Sequence, residues 1–197
     1  MQGFEFVKSP TMDDFLEVHA IEQEFLKPET IATPEQTFSW AQKNPDIEIF
    51  IRDTATGKVV GSLTVVPLNK EQFDKFTSGT LQDTELSAET LEQYRDNTKY
   101  WMLFSAVGIR KSYQGRGLFS MLMHGFCLKM KELQSRGIVF KNICGEGQTP
   151  DGQRLLEKII GLKRIEGDFE FPLFWMGAGD QTKATANFLQ CACKRCS

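Results

Sequence analysis

The run Val107-Gly-Ile-Arg-Lys-Ser-Tyr-Gln-Gly-Arg-Gly-Leu-Phe-Ser120 sets a basic, glycine-flanked turn between an apolar, strand-like segment and the start of a helix-like one. Residues of these types in this order bind anions. Gly115 and Gly117, on either side of Arg116, let the backbone bend and bring its N–H groups close to a ligand. A helix opening at Leu118 adds unpaired donors and the positive end of its dipole. The chemistry implied is the binding of a phosphate group.

Glycine spacing alone does not say whose phosphate. Gly115-x-Gly117-x-x-Ser120 half-matches a dinucleotide-binding turn. Such a turn follows the first strand of a parallel sheet at once, and an acidic residue closes the second strand. Here the turn lies past mid-chain, Arg110 to Tyr113 separate it from the strand, and the next strand-like run, Ile138 to Cys144, has no carboxylate at its tip. A helix start that binds nothing is the remaining alternative, and the strand-turn-helix order argues against it.

The segment resembles the acyl-CoA-binding turn of the GNAT N-acyltransferase superfamily, whose pattern is Arg or Gln, two residues, Gly, one residue, then Gly or Ala. Here it reads Gln114-Gly-Arg-Gly117-Leu-Phe119, with Phe119 in place of the final small residue. The resemblance implies that the backbone of Val107, Gly108 and Ile109 fixes the pantetheine and thioester of acetyl-CoA. It also implies that the N–H groups of Gln114, Gly115, Arg116, Gly117, Leu118 and Phe119 take the pyrophosphate, with a charge-assisted contact from the Arg116 side chain.

The reaction so implied is direct attack of a neutral primary amine on the thioester, through a tetrahedral intermediate whose oxyanion needs a donor. The acceptor is a small-molecule amine or an exposed amino group. Some members carry a glutamate base on the central strand where this chain has Leu103. Many carry a tyrosine acid on the last helix, where aligning Thr149 to Leu156 places Leu156. Candidates left for the catalytic work are Glu146, just beyond the flanking strand, and Ser105, which strict alternation puts on the face of Leu103 and Val107. Cys144 has no histidine near it in sequence and reads as an inert core thiol, and neither His19 nor His124 is assigned a role. Glu22, Glu24 and Glu29 lie where the family shapes its acceptor pocket and hint at a cationic amine. With Leu103 and Leu156 at two informative positions, a non-catalytic acyl-CoA sensor is the alternative function. The resemblance calls for no metal and allows a homodimer.

Elements must hold these residues in place. Phe4 to Lys8 alternates as a strand, Thr11 caps a helix to about Phe25, and Thr33-Pro34 starts another in which Gln36 completes a capping box. Residues 47–52 and 59–68 read as a hairpin. Residues 69–97 read as a helical insertion, with helices over 71–76 and 88–94, the second capped by Ser87. Lys99 to Ile109 is apolar on both faces, as a central strand is. Leu118, Leu122, Phe126, Met130 and Leu133 then mark a helix ended by Gly137. A strand over 138–144, a helix from Thr149-Pro150 to Ile160, and strands over 162–166 and 169–176 complete the order. That order resembles the GNAT fold, and the resemblance implies an α/β (α+β) architecture, a central mixed, mostly antiparallel sheet of about seven strands flanked by helices.

The chain's 197 residues, 41% hydrophobic and 25% charged, suit one globular domain over 1–177, followed by a Cys-containing tail over 178–197. A net charge of -3 excludes a general nucleic-acid binder. No apolar run approaches the ~20 residues that span a bilayer, and the start, Met1-Gln-Gly-Phe-Glu-Phe, reads as a strand, so a cytoplasmic protein is expected. Cys127 and Cys144 fit the core, and Cys191, Cys193 and Cys196 read as a reduced tail lacking a fourth metal ligand.

Overall fold

The computed structural model describes residues 3–176, so the expected cysteine tail lies outside the described residues. Seven strands form one sheet: β1 (Phe4–Phe6), β2 (Glu48–Asp53), β3 (Val59–Leu68), β4 (Lys99–Ile109), β5 (Val139–Glu146), β6 (Lys163–Arg164) and β7 (Leu173–Trp175). Their spatial order is β1-β2-β3-β4-β5-β7-β6. All neighbours are antiparallel except β4 and β5, which are parallel and therefore need a crossover. The helix α4 (Leu118–Ser135) supplies it, which puts the glycine turn at the C-terminal end of β4.

Helices α1 (Met12–Glu22) and α2 (Pro34–Lys43) cover one face of the sheet. Phe15, Val18 and Ile21 of α1 recur at steps of three and are buried, with the Phe15 ring edge-on to Phe50 of β2 at 5.1 Å. The start of α1 is held by Asp14, which accepts from the Thr11 N–H at 2.8 Å and is ion-paired to Arg52 of β2. α4 covers the opposite face, its Phe126 ring edge-on to Phe104 of β4 at 6.0 Å. Gly125 lets α4 approach closely, since a Cβ there would lie 2.7 Å from the Phe6 ring and 3.0 Å from Ile49. Phe126 has no exposed surface. Phe126→Ala is expected to lower stability by about 3–5 kcal/mol, read as a lower urea midpoint at unchanged slope; a loss below about 1 kcal/mol would contradict this packing.

Between β3 and β4 the chain forms α3 (Lys70–Thr77) and a 3₁₀ turn over Asp83–Glu85, docked on α2. The expected helix over 88–94 is absent. Carbonyls that such a helix would pair internally are taken from outside: Lys43 Nζ donates to Ala88 and Glu89, Asn44 Nδ2 to Glu92 at 3.3 Å, and Gln72 Nε2 to Thr90 at 2.8 Å. Leu91 and Tyr94 are buried all the same, Tyr94 against Tyr100 and Phe140. Gln36 departs from expectation too. Its N–H donates to Thr33 Oγ1, but its side chain turns away and donates to the Thr84 and Leu86 carbonyls, fastening the insertion to α2.

The last helix begins as expected at α5 (Pro150–Arg154), capped by Thr149, and continues over Leu155–Ile160 with π-helical bonding to a left-handed Gly161. The strands of the closing pair are shorter than the apolar runs that announce them.

Candidate active site

β4 is paired with β3 from Trp101 to Ile109, interrupted only at Ser105, but with β5 only as far as Phe104 opposite Gly145. β5 then continues on β7 through Cys144, Gly145 and Glu146. The β5-facing edge of β4 from Ser105 to Ile109 therefore presents alternate backbone groups to a gap, as an exposed sheet edge does to an added strand.

A bulge sits where the gap opens. Thr64 stands opposite Ala106 while Val65 stands opposite Phe104, so Ser105 is an extra residue in β4. The insertion shifts the alternation by one. Gly108 faces Ile21 of α1, and Gly61, opposite Ile109, faces Leu122 of α4. By that alternation Val107 belongs to the α4 face, so Ser105 shares its face with Leu103 but not, as strict alternation predicts, with Val107. Ser105 Oγ is aimed at the insertion and donates to Asp83 Oδ2 at 2.9 Å.

At the far end of the gap lies the glycine turn. Gly115 and Gly117 have φ of 75° and 79°, and Gly117 stands directly before the first residue of α4. Among the described residues no acceptor takes the N–H groups of Gly115, Arg116, Gly117, Leu118 or Phe119. The Gln114 N–H is already bonded to the Lys111 carbonyl at 3.3 Å, and the Gln114 side chain reaches the Ile109 carbonyl at 3.5 Å. Arg116 is exposed, with its guanidinium 4.7 Å from the Tyr113 ring centre, and Leu118 and Phe119 pack into the core.

A cavity of about 700 Å³ joins these parts, lined by the β4 edge, the turn, α5 and the α1–α2 connection. Its wall also carries Glu22, Asp83 and Glu146. Among the described residues Glu22, at the end of α1, accepts no side-chain hydrogen bond, and its carboxyl is pushed up to about 8, chiefly by burial and further by the Asp83 charge. Burial raises Asp83 against the opposing bond from Ser105, and raises Glu146 together with the charges of Asp83 and Glu170. Behind them, Glu48 of β2 is raised well above the carboxylate range by burial, while its Oε2 accepts from Thr64 at 2.7 Å and its Oε1 is buried without a partner. Glu48, Thr64, Ser105 and Glu146 thus mark a polar row across four adjacent strands, with Glu22 and Asp83 laid over it.

The α1–α2 connection straps over the gap. Glu24 accepts from the Lys111 N–H at 2.6 Å on the β4 side, and Arg110 pairs with Glu17 and Glu24. On the β5 side Thr30 donates to Gln148 Oε1 at 2.9 Å, and Gln148 Nε2 donates to Glu146 Oε1 at 2.7 Å.

Of the candidates read from sequence, Glu146 and Ser105 both reach the cavity, Ser105 bonded to Asp83 and Glu146 to Gln148, whereas Glu24 is used in the strap and Glu29 is exposed. Sequence reasoning missed Glu48 and Asp83. Neither carries a local signal: Glu48 sits in an ordinary edge of apolar alternation, and Asp83 in a polar insertion. Leu103 and Leu156 are buried, Leu156 against Gly145, so neither polar residue of the family pattern has a replacement at its own position. Cys144 is fully buried, its thiol pushed well up by burial. Among the described residues, no helix is long and apolar enough to cross a membrane.

The raised Glu22 carboxyl has a thermodynamic consequence. Its folded pKa of about 8 exceeds the ordinary 4.5, so between those values the folded chain holds a proton that the unfolded chain has lost. Stability therefore falls as pH rises through that window. The titratable groups facing Glu22 are Asp83 from the insertion and Glu48 from β2, both acidic, and neither offsets this. Glu22→Gln is expected to be more stable than the parent at pH 8.5 by about 1–2 kcal/mol, or roughly 2–8 °C in Tm, and equal to it at pH 5. Parallel melting curves at the two pH values check this; an equal or lower Tm at pH 8.5 would count against the desolvated placement.

No protein-family model matches the sequence, and no curated protein matches it either. Solved structures do match in shape. The NatC complex bound to Gag peptide and CoA is 11% identical, covering 88% of this chain and 96% of its own at a TM-score of 0.56. A mosquito arylalkylamine N-acetyltransferase like 5b is 15% identical, with 87% and 98% covered and a TM-score of 0.52. Arabidopsis thaliana Naa50 in complex with the bisubstrate analogue CoA-Ac-MVNAL is 10% identical, with 89% and 99% covered and a TM-score of 0.51. The chain has the GNAT fold, as the resemblance at the glycine turn implies. At these identities the likeness speaks for architecture and leaves the acceptor to be argued from the site.

Proposed function

We propose that the chain is an acyl-CoA-dependent N-acyltransferase that moves an acetyl group from acetyl-CoA to a primary amine by direct attack. The observation that carries this reading is the continuity of the unpaired β4 edge with the free N–H groups of Gly115 to Phe119, in one cavity with Glu22, Asp83 and Glu146. In this reading the donor's pyrophosphate lies on the turn and its pantetheine amides pair with the β4 edge. The thioester carbonyl then points at a backbone donor near the bulge, which takes the developing oxyanion.

The ammonium form of the acceptor loses its proton to Glu146, directly or through water, and the neutral nitrogen attacks the thioester carbon. Collapse of the intermediate breaks the C–S bond and forms the amide. With Leu156 where the family carries its tyrosine, no side chain at that position protonates the thiolate; water, or the proton released by the amine, does so. Fit to an acceptor of either kind, a small molecule or an exposed amino group, follows from the cavity's acidic wall.

Thiol release from acetyl-CoA, followed with an amine panel and checked by the mass gain of one acetyl group on the amine, tests the proposal. The leucines at positions 103 and 156 favour one competing reading, a non-catalytic acyl-CoA sensor. Tight acetyl-CoA binding with no thiol release for any amine would establish it and end the enzymatic proposal.

A further inference from the structure

Gln148 touches both the strap and the candidate base. Among the described residues its Nε2 is the only hydrogen-bond donor to the Glu146 carboxyl, at 2.7 Å, and its Oε1 takes the Thr30 hydroxyl at 2.9 Å. Among the same residues, no other hydrogen bond joins the strap to the β5 side of the cavity. The connection therefore runs from the strap through Thr30 and Gln148 to Glu146.

Chemistry fixes the direction of the Gln148 amide. An ionised carboxylate accepts and never donates, so the amide nitrogen must face Glu146, which leaves the amide oxygen for the Thr30 O–H. The main chain on either side of Gln148 is anchored. The Gly147 N–H donates to the Pro172 carbonyl at 2.9 Å, the Gly147 carbonyl accepts from Gln153 Nε2 at 3.0 Å, and Thr149 Oγ1 caps α5 by accepting from the Gly152 N–H at 3.0 Å. Glu146 by contrast is a long, half-buried side chain with this one polar contact to hold its rotamer.

The strap's end of the connection is releasable. Thr30 has a single hydroxyl proton, and the Lys27 carbonyl lies as near its Oγ1 as Gln148 does, at 2.9 Å. Displaced from β5, the strap keeps a partner for Thr30, whereas Gln148 Oε1 loses its donor and the amide can turn away from Glu146. A base must stand within hydrogen-bond reach of the proton it takes. We infer that Gln148 is a positioning residue, through which the strap, when shut, aims Glu146 at the reacting amine. This rests on the N-acyltransferase reading for the proton that Glu146 takes, but not for the tie between strap and carboxyl.

The test follows the Glu146 carboxyl across pH by carbon-13 NMR on the full chain labelled at glutamate, the signal being assigned by its loss in Glu146→Gln. Gln148→Leu removes a donor to the ionised form and is expected to move the midpoint up by about half a pH unit or more. Thr30→Val is expected to move it the same way by less, and the double variant to match Gln148→Leu alone. Asp83 from the insertion and Glu170 ahead of β7 act on Glu146, and Asp151 and Arg154 of α5 line the same cavity; all four are present in every variant, so the differences report on the amide. In the thiol-release assay each single variant should lower kcat by about tenfold at unchanged KM for acetyl-CoA, with the acid limb of kcat/KM moving as the NMR midpoint does. Far-UV spectra and melting curves verify that the variants fold. A Gln148→Leu chain whose Glu146 titrates as in the parent overturns the inference. So does a kcat for that variant within about threefold of an active parent, or losses that multiply in the double variant, and these results leave N-acyl transfer standing. The expected NMR shifts with no thiol release for any amine would sustain the tie between strap and carboxyl and sink the enzymatic reading instead.

Discussion

Gly117→Val is expected to abolish acetyl-CoA binding while leaving the fold in place. Gly117 holds φ at 79° immediately before α4, in the left-handed region that a β-branched residue strongly resists. A valine escapes the strain by turning φ negative. That rotation reorients the two peptide planes on either side and scatters the N–H groups of Arg116 to Phe119, which no acceptor within the described chain holds in place. Local strain of this kind costs about 1–3 kcal/mol, less than the 5–15 kcal/mol typical of a folded chain. Calorimetric titration with CoA should show affinity falling at least about a hundredfold, in line with the loss of several hydrogen bonds to charged oxygens. The far-UV spectrum should be unchanged. A variant that binds CoA as the parent does would remove the turn from the donor site.

Glu146→Gln is the second large effect, a fall in kcat of about 10²–10³ with KM for acetyl-CoA unchanged. The carboxylate stands at the end of β5 where that strand has left β4, so it borders the gap without touching the turn. Gln148 donates to its Oε1 at 2.7 Å and leaves Oε2 for a proton. Burial, then the charges of Asp83 and Glu170, raise its pKa. A base must be ionised to act, so kcat/KM in the parent should climb with pH through that raised value and then level. Glutamine cannot titrate, and the climb should disappear from that limb of the profile. A kcat within threefold of the parent, with the acid limb intact, would exclude Glu146 as the base and turn attention to Asp83. Unlike the turn variant, this one should bind CoA normally, which separates donor binding from proton transfer.

Much of the architecture was legible because it is written locally. Phe15, Val18 and Ile21, and again Leu118 to Leu133, repeat at helical spacing, and residues 99–109 are apolar enough to require cover on both sides. The glycine turn is equally local. What stayed hidden depends on distant partners. The residues 88–94 have helical spacing, but side chains of α2 and α3 take their carbonyls. Nothing in Leu103 to Ile109 announces the bulge, because a strand apolar on both faces has no alternation for an extra residue to interrupt. The acidic wall was hidden most completely. Glu22 stands out only through the resemblance, whereas Glu48 begins a strand and Asp83 sits in a polar stretch, and both look like ordinary surface until the sheet and the insertion bring them beside it. The opposite held at Thr33, where the motif was present but Gln36 was drawn off to dock the insertion.

The docked insertion has a consequence for how this scaffold can change. Asp83 reaches Ser105 from a short segment fastened by Gln36 and Trp40 to α2, with no part in the glycine turn at the other end of β4. On the proposed function, donor and acceptor recognition are housed in separable stretches of chain. Grafting a different segment onto the same anchors would re-specify what is acylated and leave untouched what donates the acyl group, so a family of transferases with one currency and many customers could arise by exchanging a handful of residues around position 83.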